Sequence, residues 1–247
     1  MIVDSLTFLG ASLFGRRASA PELIAAMDEL GVDRAVVCPL KPADYRLEAA
    51  NDTVADAVRA HRTRLVGFAR VDPWLGEGAV AEIERALTLG LRGLFLHPWE
   101  ETFCVAAPVV DPVLEAAQRH RLPVIVASGY PWLSEGLQVA DLARRFPDVT
   151  IVATNGAQIN ISGLGQLDAE LALTSCPNLH IQTTGVYRED FLEGVASRLG
   201  GERVLFASGF PFFDPRLELR RVQWAPGFAA EAREQILGGN AARLLLH

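Results

Sequence analysis

The twenty residues AVAEIERALTLGLRGLFLHP (residues 79–98) decide the fold. Apolar residues at helical spacing predict an amphipathic helix over Ala79–Leu89. Gly90 follows at the place where a left-handed cap residue is expected after a helix. The short apolar run Gly93–His97 is typical of a buried strand. A helix that leads into a buried strand is the repeating unit of a parallel α/β fold.

The same unit recurs along the whole chain. Short β-branched or apolar runs predict eight strands, at Ile2–Ser5, Arg34–Cys38, Leu65–Val71, Gly93–His97, Val124–Ser128, Thr150–Thr154, His180–Thr184 and Val204–Ser208. Amphipathic segments predict helices at Pro21–Leu30, Asn51–His61, Ala79–Leu89, Pro112–Arg119, Leu137–Phe146, Leu164–Leu173 and Arg188–Leu199, with a closing helix over Gly239–Leu245. Eight units in 247 residues, about 31 each, favour an α/β fold of the (β/α)8 TIM-barrel type, and a doubly wound open sheet is the alternative. No linker or shift in composition divides the chain, so residues 1–247 are predicted to form one domain.

Charge and composition limit the partners and the cellular location. The 23 basic and 30 acidic residues are interspersed and give a net charge of −7, which argues against a nucleic-acid partner. The three cysteines, Cys38, Cys104 and Cys176, are too few and too scattered for a disulfide framework and predict reduced thiols. The chain begins in a strand-like run without a signal-peptide pattern, and no apolar run is long enough to span a bilayer. We therefore expect a soluble cytoplasmic protein with no membrane partner.

Six segments carry a resemblance to a known family, and they occur in that family's order. They are VDSLTFLG (3–10), GLRGLFLHP (90–98), PVIVASG (123–129), IVATNG (151–156), RVLFASGFP (203–211) and NAARLL (240–245). Together they resemble the amidohydrolase-related family of TIM barrels, in the branch that contains metal-dependent decarboxylases and hydrolases. Each motif alone is weak. Their order and spacing over almost the whole chain make the resemblance fairly specific.

The resemblance also implies where metal ligands would stand. In the family the first strand ends in His-x-His, and later strands supply two His and an Asp that bind one or two divalent ions. Placed residue by residue, these positions fall on Leu6, Phe8, Ala127, Asn155 and Gly209. A transition metal needs at least three good donors among imidazole, carboxylate and thiolate groups, and these residues supply none. We therefore expect a divergent member with no metal site and no cofactor.

The polar residues left near the barrel mouth are the candidates for function. His97 is the one histidine expected at the C-terminal end of a strand, and it is either an acid–base group or a structural hydrogen-bonding group. Asn155 is expected to point into the pocket and to orient a ligand. Glu100 and Glu101 follow on a loop, where acidic residues are usually solvated. Asp72 is expected to cap the turn that follows it.

These residues predict a pocket for a small organic molecule, with His97 as the catalytic candidate. The substrate-binding candidates are Leu6, Phe8, Ala127, Tyr130, Asn155, Tyr187, Ser208 and Gly209. Two functions stay open: a metal-independent enzyme of lyase, cyclase, isomerase or hydrolase type, and a catalytically inactive relative that binds a small molecule or a partner subunit. A homodimer is an expectation by analogy with other barrels of this kind.

Overall fold

The computed structural model describes residues 1–158 and 165–246. The strands are β1 (Val3–Ala11), β2 (Arg17–Ala18), β3 (Arg34–Pro39), β4 (Leu65–Gly67), β5 (Ala69–Arg70), β6 (Leu94–Leu96), β7 (Val124–Val126), β8 (Ile151–Ala153), β9 (Leu179–Gln182) and β10 (Val204–Leu205). The helices are α1 (Ala20–Leu30), α2 (Leu47–Ala60), α3 (Glu77–Thr88), α4 (Asp111–His120), α5 (Gly136–Arg145), α6 (Gln166–Ser175), α7 (Glu189–Leu199), α8 (Pro215–Trp224), α9 (Ala230–Glu234) and α10 (Asn240–Leu245). The helix predicted over Leu164–Leu173 starts at a residue outside the described ranges, and α6 begins at Gln166.

The parallel strands close into a barrel, to which β2 adds a short antiparallel edge. Two sheets are present, in the orders β2–β1–β3–β4 and β10–β9–β8–β7–β6–β5. The strands β4 and β5 are two halves of one barrel strand, which we call a stave. The backbone N–H of the intervening Phe68 still donates to Val37 O of β3 at 2.9 Å. On the other side, Ser5 N–H donates to Phe206 O at 3.0 Å and Phe8 N–H donates to Phe210 O at 2.8 Å. These bonds join β1 to the segment that follows β10, and the predicted (β/α)8 barrel is confirmed.

Side chains along the strands alternate between two cores. In β6, Leu94 and Leu96 pack outward against the helices, whereas Phe95 points into the barrel. In β7, Ile125 likewise points inward. The interior core contains Val3, Leu6, Phe8, Val36, Cys38, Val66, Phe68, Phe95, Ile125, Val152 and Leu205. Because the side-chain period of a strand is two, the inward residue just beyond each strand faces the barrel mouth.

Several boundary signals in the sequence act as expected. Ser19 accepts a hydrogen bond from Glu22 N–H, and the Glu22 carboxylate bonds back to Ser19, so a capping box starts α1. Gly31 ends the same helix with φ +67°. Gly90, at φ +91°, follows α3 in the left-handed region. The Asp72 side chain accepts a hydrogen bond from Trp74 N–H at 3.0 Å, which confirms its role as a turn cap.

Some element boundaries were predicted wrongly, for identifiable reasons. β1 runs to Ala11 instead of ending at Ser5. Its residues 7–9 continue the parallel pairing with β3, and its last two residues pair with β2. The last strand ends at Leu205 instead of Ser208, since the following residues turn to bond β1. The helix α8 was not predicted, because its segment is strongly polar and buries only Glu218, Leu219 and Val222.

The structure agrees with the prediction that the cysteines are unpaired. All three cysteines are free thiols, with Cys38 and Cys176 buried. None of the helices in the part of the chain that the structure describes combines the length and apolarity that crossing a bilayer requires.

Asp4 lies at the seam that closes the barrel. Its side chain is almost completely buried, and Oδ1 accepts hydrogen bonds from Ser208 N–H at 2.9 Å and Leu6 N–H at 3.2 Å. Burial raises the pKa of Asp4 from 3.8 to about 6, although these hydrogen bonds oppose the shift. The seam therefore holds a carboxyl group whose ionisation destabilises the fold.

We expect Asp4→Asn to gain stability over the wild type as the pH rises. The pKa of Asp4 is about 6 in the folded protein and 3.8 in the unfolded chain. The unfolded chain therefore gives up its proton first, and the wild type loses stability as the pH rises from 3.8 through about 6. Asparagine keeps the acceptor oxygen but cannot ionise. The difference in unfolding free energy should grow between pH 4 and pH 7 by up to about 3 kcal/mol, measured by urea unfolding. The exposed Asp56→Asn variant is the control, and a difference for Asp4→Asn that does not change with pH would contradict this interpretation.

Candidate functional site

A cavity of about 190 Å³ opens at the C-terminal ends of the barrel strands. We call it the mouth cavity. It is lined by Leu6, Phe8, Phe95, His97, Glu100, Ala127, Tyr130, Thr154, Asn155, Thr184, Gly209, Phe212 and Phe213. The period-two alternation explains this set, since Phe95 and His97 are successive inward residues of one stave. The active sites of such barrels lie at this end.

The mouth cavity brings together most of the residues predicted for the site. His97 and six of the substrate-binding candidates line it, namely Leu6, Phe8, Ala127, Tyr130, Asn155 and Gly209. Tyr187 and Ser208 do not line it. The Tyr187 ring lies 4.8 Å from the Arg221 guanidinium and is 47% exposed.

Ser208 faces the barrel seam instead of the cavity. Its backbone N–H donates to Asp4 Oδ1 at 2.9 Å, and its hydroxyl oxygen accepts from Phe210 N–H at 3.1 Å. The neighbouring Gly209 has φ +66°, and a Cβ there would approach Thr184 Cγ2 to 2.6 Å. Glycine therefore keeps the cavity open at this point and allows the turn.

His97 lies in the wall of the mouth cavity as a neutral imidazole. Its Nδ1 accepts a hydrogen bond from Glu100 N–H at 3.2 Å, so the ring proton is assigned to Nε2. Nε2 lies 3.9 Å from Glu100 Oε1. Burial, followed by the positive charge of Arg70, holds the pKa of His97 well below its usual value of 6.5. At neutral pH this side chain can donate a hydrogen bond from Nε2 to a ligand.

A buried ion network lies beside His97, and the sequence reasoning did not find it. It consists of Lys41, Arg70, Glu100 and Glu101. Arg70 Nη2 bonds to Glu100 Oε2 and lies 2.8 Å from Glu101 Oε1, and Lys41 Nζ lies 3.3 Å from the same Glu101 oxygen. The prediction that the two glutamates are solvated loop residues was therefore wrong, because each carboxylate is held by a buried cation.

The charges in this network cancel, since two cations face two carboxylates. Arg70 is 1% exposed and also packs over the Phe95 ring at 5.6 Å. Burial raises the pKa of Glu101 against the opposing pull of Arg70. The alternation of side chains along the strand could have revealed that Arg70 is buried. Phe68 points into the barrel, and a side chain two residues later in the same strand points the same way.

Asn155 reaches the cavity through an unusual backbone turn. Asn155, Gly156 and Ala157 have φ values of +55°, +63° and +59°, one residue after the end of β8. Successive left-handed residues are rare outside glycine, and backbone strain of this kind is concentrated at functional sites. The turn places the Asn155 side chain in the cavity lining. Nothing in the alternation pattern predicts this conformation.

The five expected positions of metal ligands converge in the mouth cavity, but their side chains do not fit a metal. Leu6, Phe8, Ala127 and Gly209 carry no donor atom, and Asn155 carries only an amide. Within residues 1–158 and 165–246, no three His, Cys, Asp or Glu side chains are grouped so as to hold an ion. These five side chains therefore do not form a donor set for a divalent cation.

A larger cleft of about 890 Å³ lies away from the strand ends that carry His97 and Asn155, and it includes Arg92, Arg121 and Leu245. It is lined mostly by loop residues and helix ends and contains no residue of the ion network. We place the functional site at the mouth cavity, where buried polar groups and apolar rings face the same space at the strand ends.

We expect Arg70→Leu to destabilise the protein by about 3–5 kcal/mol, because it leaves two buried carboxylates without their main cation. Adding Glu101→Gln should restore at least about 1 kcal/mol of that loss, since one unpaired charge is then removed. Urea unfolding measures both values. The exposed Arg92→Leu is the control, and an effect of Arg70→Leu no larger than that of the control would contradict the assigned role.

Comparisons with known proteins agree with the fold. The sequence profile of a family described as Amidohydrolase matches residues 10–246. A 5-carboxyvanillate decarboxylase, LigW from Sphingomonas paucimobilis, is 21% identical, with 99% of this chain and 98% of that chain covered and a TM-score of 0.79. A dihydroxybenzoic acid decarboxylase from Polaromonas sp. JS666, with bound manganese and the inhibitor 2-nitroresorcinol, is 16% identical, with coverages of 98% and 96% and a TM-score of 0.77.

A third solved structure is a 4-oxalomesaconate hydratase, LigJ from Rhodopseudomonas palustris. It is 17% identical, with 100% of this chain and 96% of that chain covered and a TM-score of 0.72. No curated protein matches the chain in sequence. At such low identities these likenesses show a shared fold.

Proposed function

The chain belongs to the amidohydrolase family, and we propose that it is a metal-independent enzyme that acts on a small organic molecule in the mouth cavity. One observation carries the proposal. The five positions where the family's metal ligands would stand all line this cavity, and none of their side chains fits that role. They are Leu6, Phe8, Ala127, Asn155 and Gly209.

The size and lining of the cavity support a small ligand with a ring. A cavity of about 190 Å³ is slightly larger than an engineered apolar cavity of about 150 Å³ that binds benzene. Phe8 and Phe95 pack edge to face, with centroids 5.3 Å apart, and form part of its apolar wall. His97, Asn155 and Tyr130 supply polar groups on other sides. A ring that carries one or two oxygen atoms suits this combination.

The polar groups also support a chemical step without a metal. In the proposed reaction, His97 Nε2–H donates a hydrogen bond to a carbonyl oxygen of the substrate. The Glu100 carboxylate then removes a proton from the neighbouring carbon, and negative charge develops on the hydrogen-bonded oxygen. A neutral imidazole paired with a carboxylate base is an effective arrangement for such enolisation. Some isomerases, lyases and cyclases use this step, and a hydrolase would need a positioned water in addition.

The second candidate function is a catalytically inactive relative that binds a small molecule or a partner subunit. One observation favours it. Arg70 Nη2 bonds to Glu100 Oε2, so the Glu100 carboxylate is already engaged in a buried ion pair. Ligand binding without turnover would then be the function of the same cavity.

The cellular location, the partners and the assembly are also proposed, on the basis of the sequence alone. We infer a cytoplasmic protein with no cofactor and no nucleic-acid or membrane partner, and a homodimer is the assembly to test.

We expect ligands from a panel of single-ring ketones, enols and phenols to raise the melting temperature, and one of the ketones to be turned over. His97→Ala and Glu100→Gln should each lower kcat by about 10²-fold or more, because each removes one half of the proton-transfer step. Thermal-shift measurements and a steady-state assay measure these effects.

His61→Ala is the control, because His61 does not line the cavity. Unchanged turnover in His97→Ala and Glu100→Gln would overturn the assigned roles. Binding by the panel with no turnover under any condition would favour the inactive relative.

A further inference from the structure

Trp99 forms an exposed aromatic surface just outside the mouth cavity. It follows β6 and is 54% exposed. Its ring stacks on Tyr130, with centroids 5.8 Å apart and an interplanar angle of 14°. Tyr130 lines the cavity. One face of the indole is thus partly covered by a cavity residue, while much of the side chain remains in water.

The loop that carries Tyr130 also exposes a second tryptophan, in a strained conformation. Trp132 is 83% exposed and has φ +63°, a region that bulky residues rarely adopt. The backbone N–H of Trp132 donates to Glu135 Oε2 at 3.1 Å, and its backbone carbonyl accepts from Gln138 Nε2 at 2.8 Å. The contacts that fix this loop therefore also fix the position of Tyr130 beneath Trp99.

The aromatic surface is continuous with the cavity wall. The Tyr130 ring lies 5.4 Å from the His97 ring, and His97 lies edge to face on Phe95 at 5.8 Å. On the far side, Phe95 contacts Phe8 at 5.3 Å. A chain of rings thus leads from solvent at Trp99 to the apolar interior of the barrel.

The volume of the cavity limits what can lie inside it. About 190 Å³ suits a single ring, so a second ring joined to the first must project from the mouth. The two nearly parallel rings are laterally displaced, since their centroids lie 5.8 Å apart, so Tyr130 leaves part of the indole face uncovered. A group that leaves the cavity past Tyr130 can reach this uncovered part of Trp99, which is 54% exposed. Stacking of planar groups on an aromatic face contributes binding energy beyond the buried area.

We propose that the ligand has two planar parts, one ring held in the mouth cavity and a second planar apolar group stacked on Trp99. Trp99 and Tyr130 form an outer subsite that selects extended aromatic ligands over single-ring ones. This inference rests on the proposed function, since it requires that the mouth cavity binds the first ring.

The test compares two probes that share one ring. Phenol fills the cavity alone, and 4-phenylphenol adds a second ring. Isothermal titration gives the Kd of each probe for the wild type, Trp99→Ala, Trp99→Leu and the control Trp224→Ala. Trp224 is 71% exposed on α8 and does not line the cavity. Trp99→Leu keeps an apolar side chain but removes the planar face.

We expect the wild type to bind 4-phenylphenol about tenfold more tightly than phenol. Trp99→Ala and Trp99→Leu should reduce this preference to about twofold or less, with the Kd of phenol unchanged. Trp224→Ala should retain the full preference. Melting temperatures within 2 °C of the wild type would show that both Trp99 variants are folded.

The possible failures are distinguishable. If phenol binds but 4-phenylphenol is not preferred, or if the preference survives in both Trp99 variants, the outer subsite is refuted and the proposed function stands. If neither probe binds the wild type, both the inference and the proposed ring-binding function are overturned.

Discussion

The hydrogen-bonded closure of the barrel is the constraint on which the rest of the structure depends. Once β1 is joined to the segment after β10, by Ser5 N–H to Phe206 O and Phe8 N–H to Phe210 O, the staves surround one axis. Because side chains alternate along each strand, the inward residues at the ends of the staves lie around the mouth cavity. Leu6, Ala127 and Gly209 are distant in the chain, yet they share one wall for this reason.

Electrostatics in that space differ from what a metal site would require. The buried charges form a neutral set, in which Lys41 and Arg70 face Glu100 and Glu101. His97 next to them stays neutral because burial and Arg70 both disfavour its protonated form. This neutral charge set and the apolar interior are the basis for proposing an organic ring with a carbonyl or hydroxyl group as the ligand, instead of a free ion. Proton transfer between fixed groups is the chemistry that such a site can support.

Much of the fold could be predicted from sequence, but only part of the site. Helix–strand periodicity and glycine caps such as Gly31 depend on local sequence, so the barrel was predictable. Arg70 was missed although alternation from Phe68 places it inward. Three further features were not predicted. The pairing of β1 with β2 and the left-handed turn at Asn155 leave no mark in the hydrophobic alternation, and the orientation of Ser208 depends on a contact with the distant Asp4.

The central claim is that a family barrel has exchanged its metal site for a cavity that binds an organic molecule. Elemental analysis tests it most directly, on protein purified without chelator and dialysed against excess Zn²⁺, Mn²⁺ or Fe²⁺ before desalting. Side chains such as Leu6, Phe8 and Ala127 offer no lone pairs to a cation, so we expect far less than one metal ion per chain in every sample. About one ion per chain, lost on replacement of His97 or Glu100, would contradict the account.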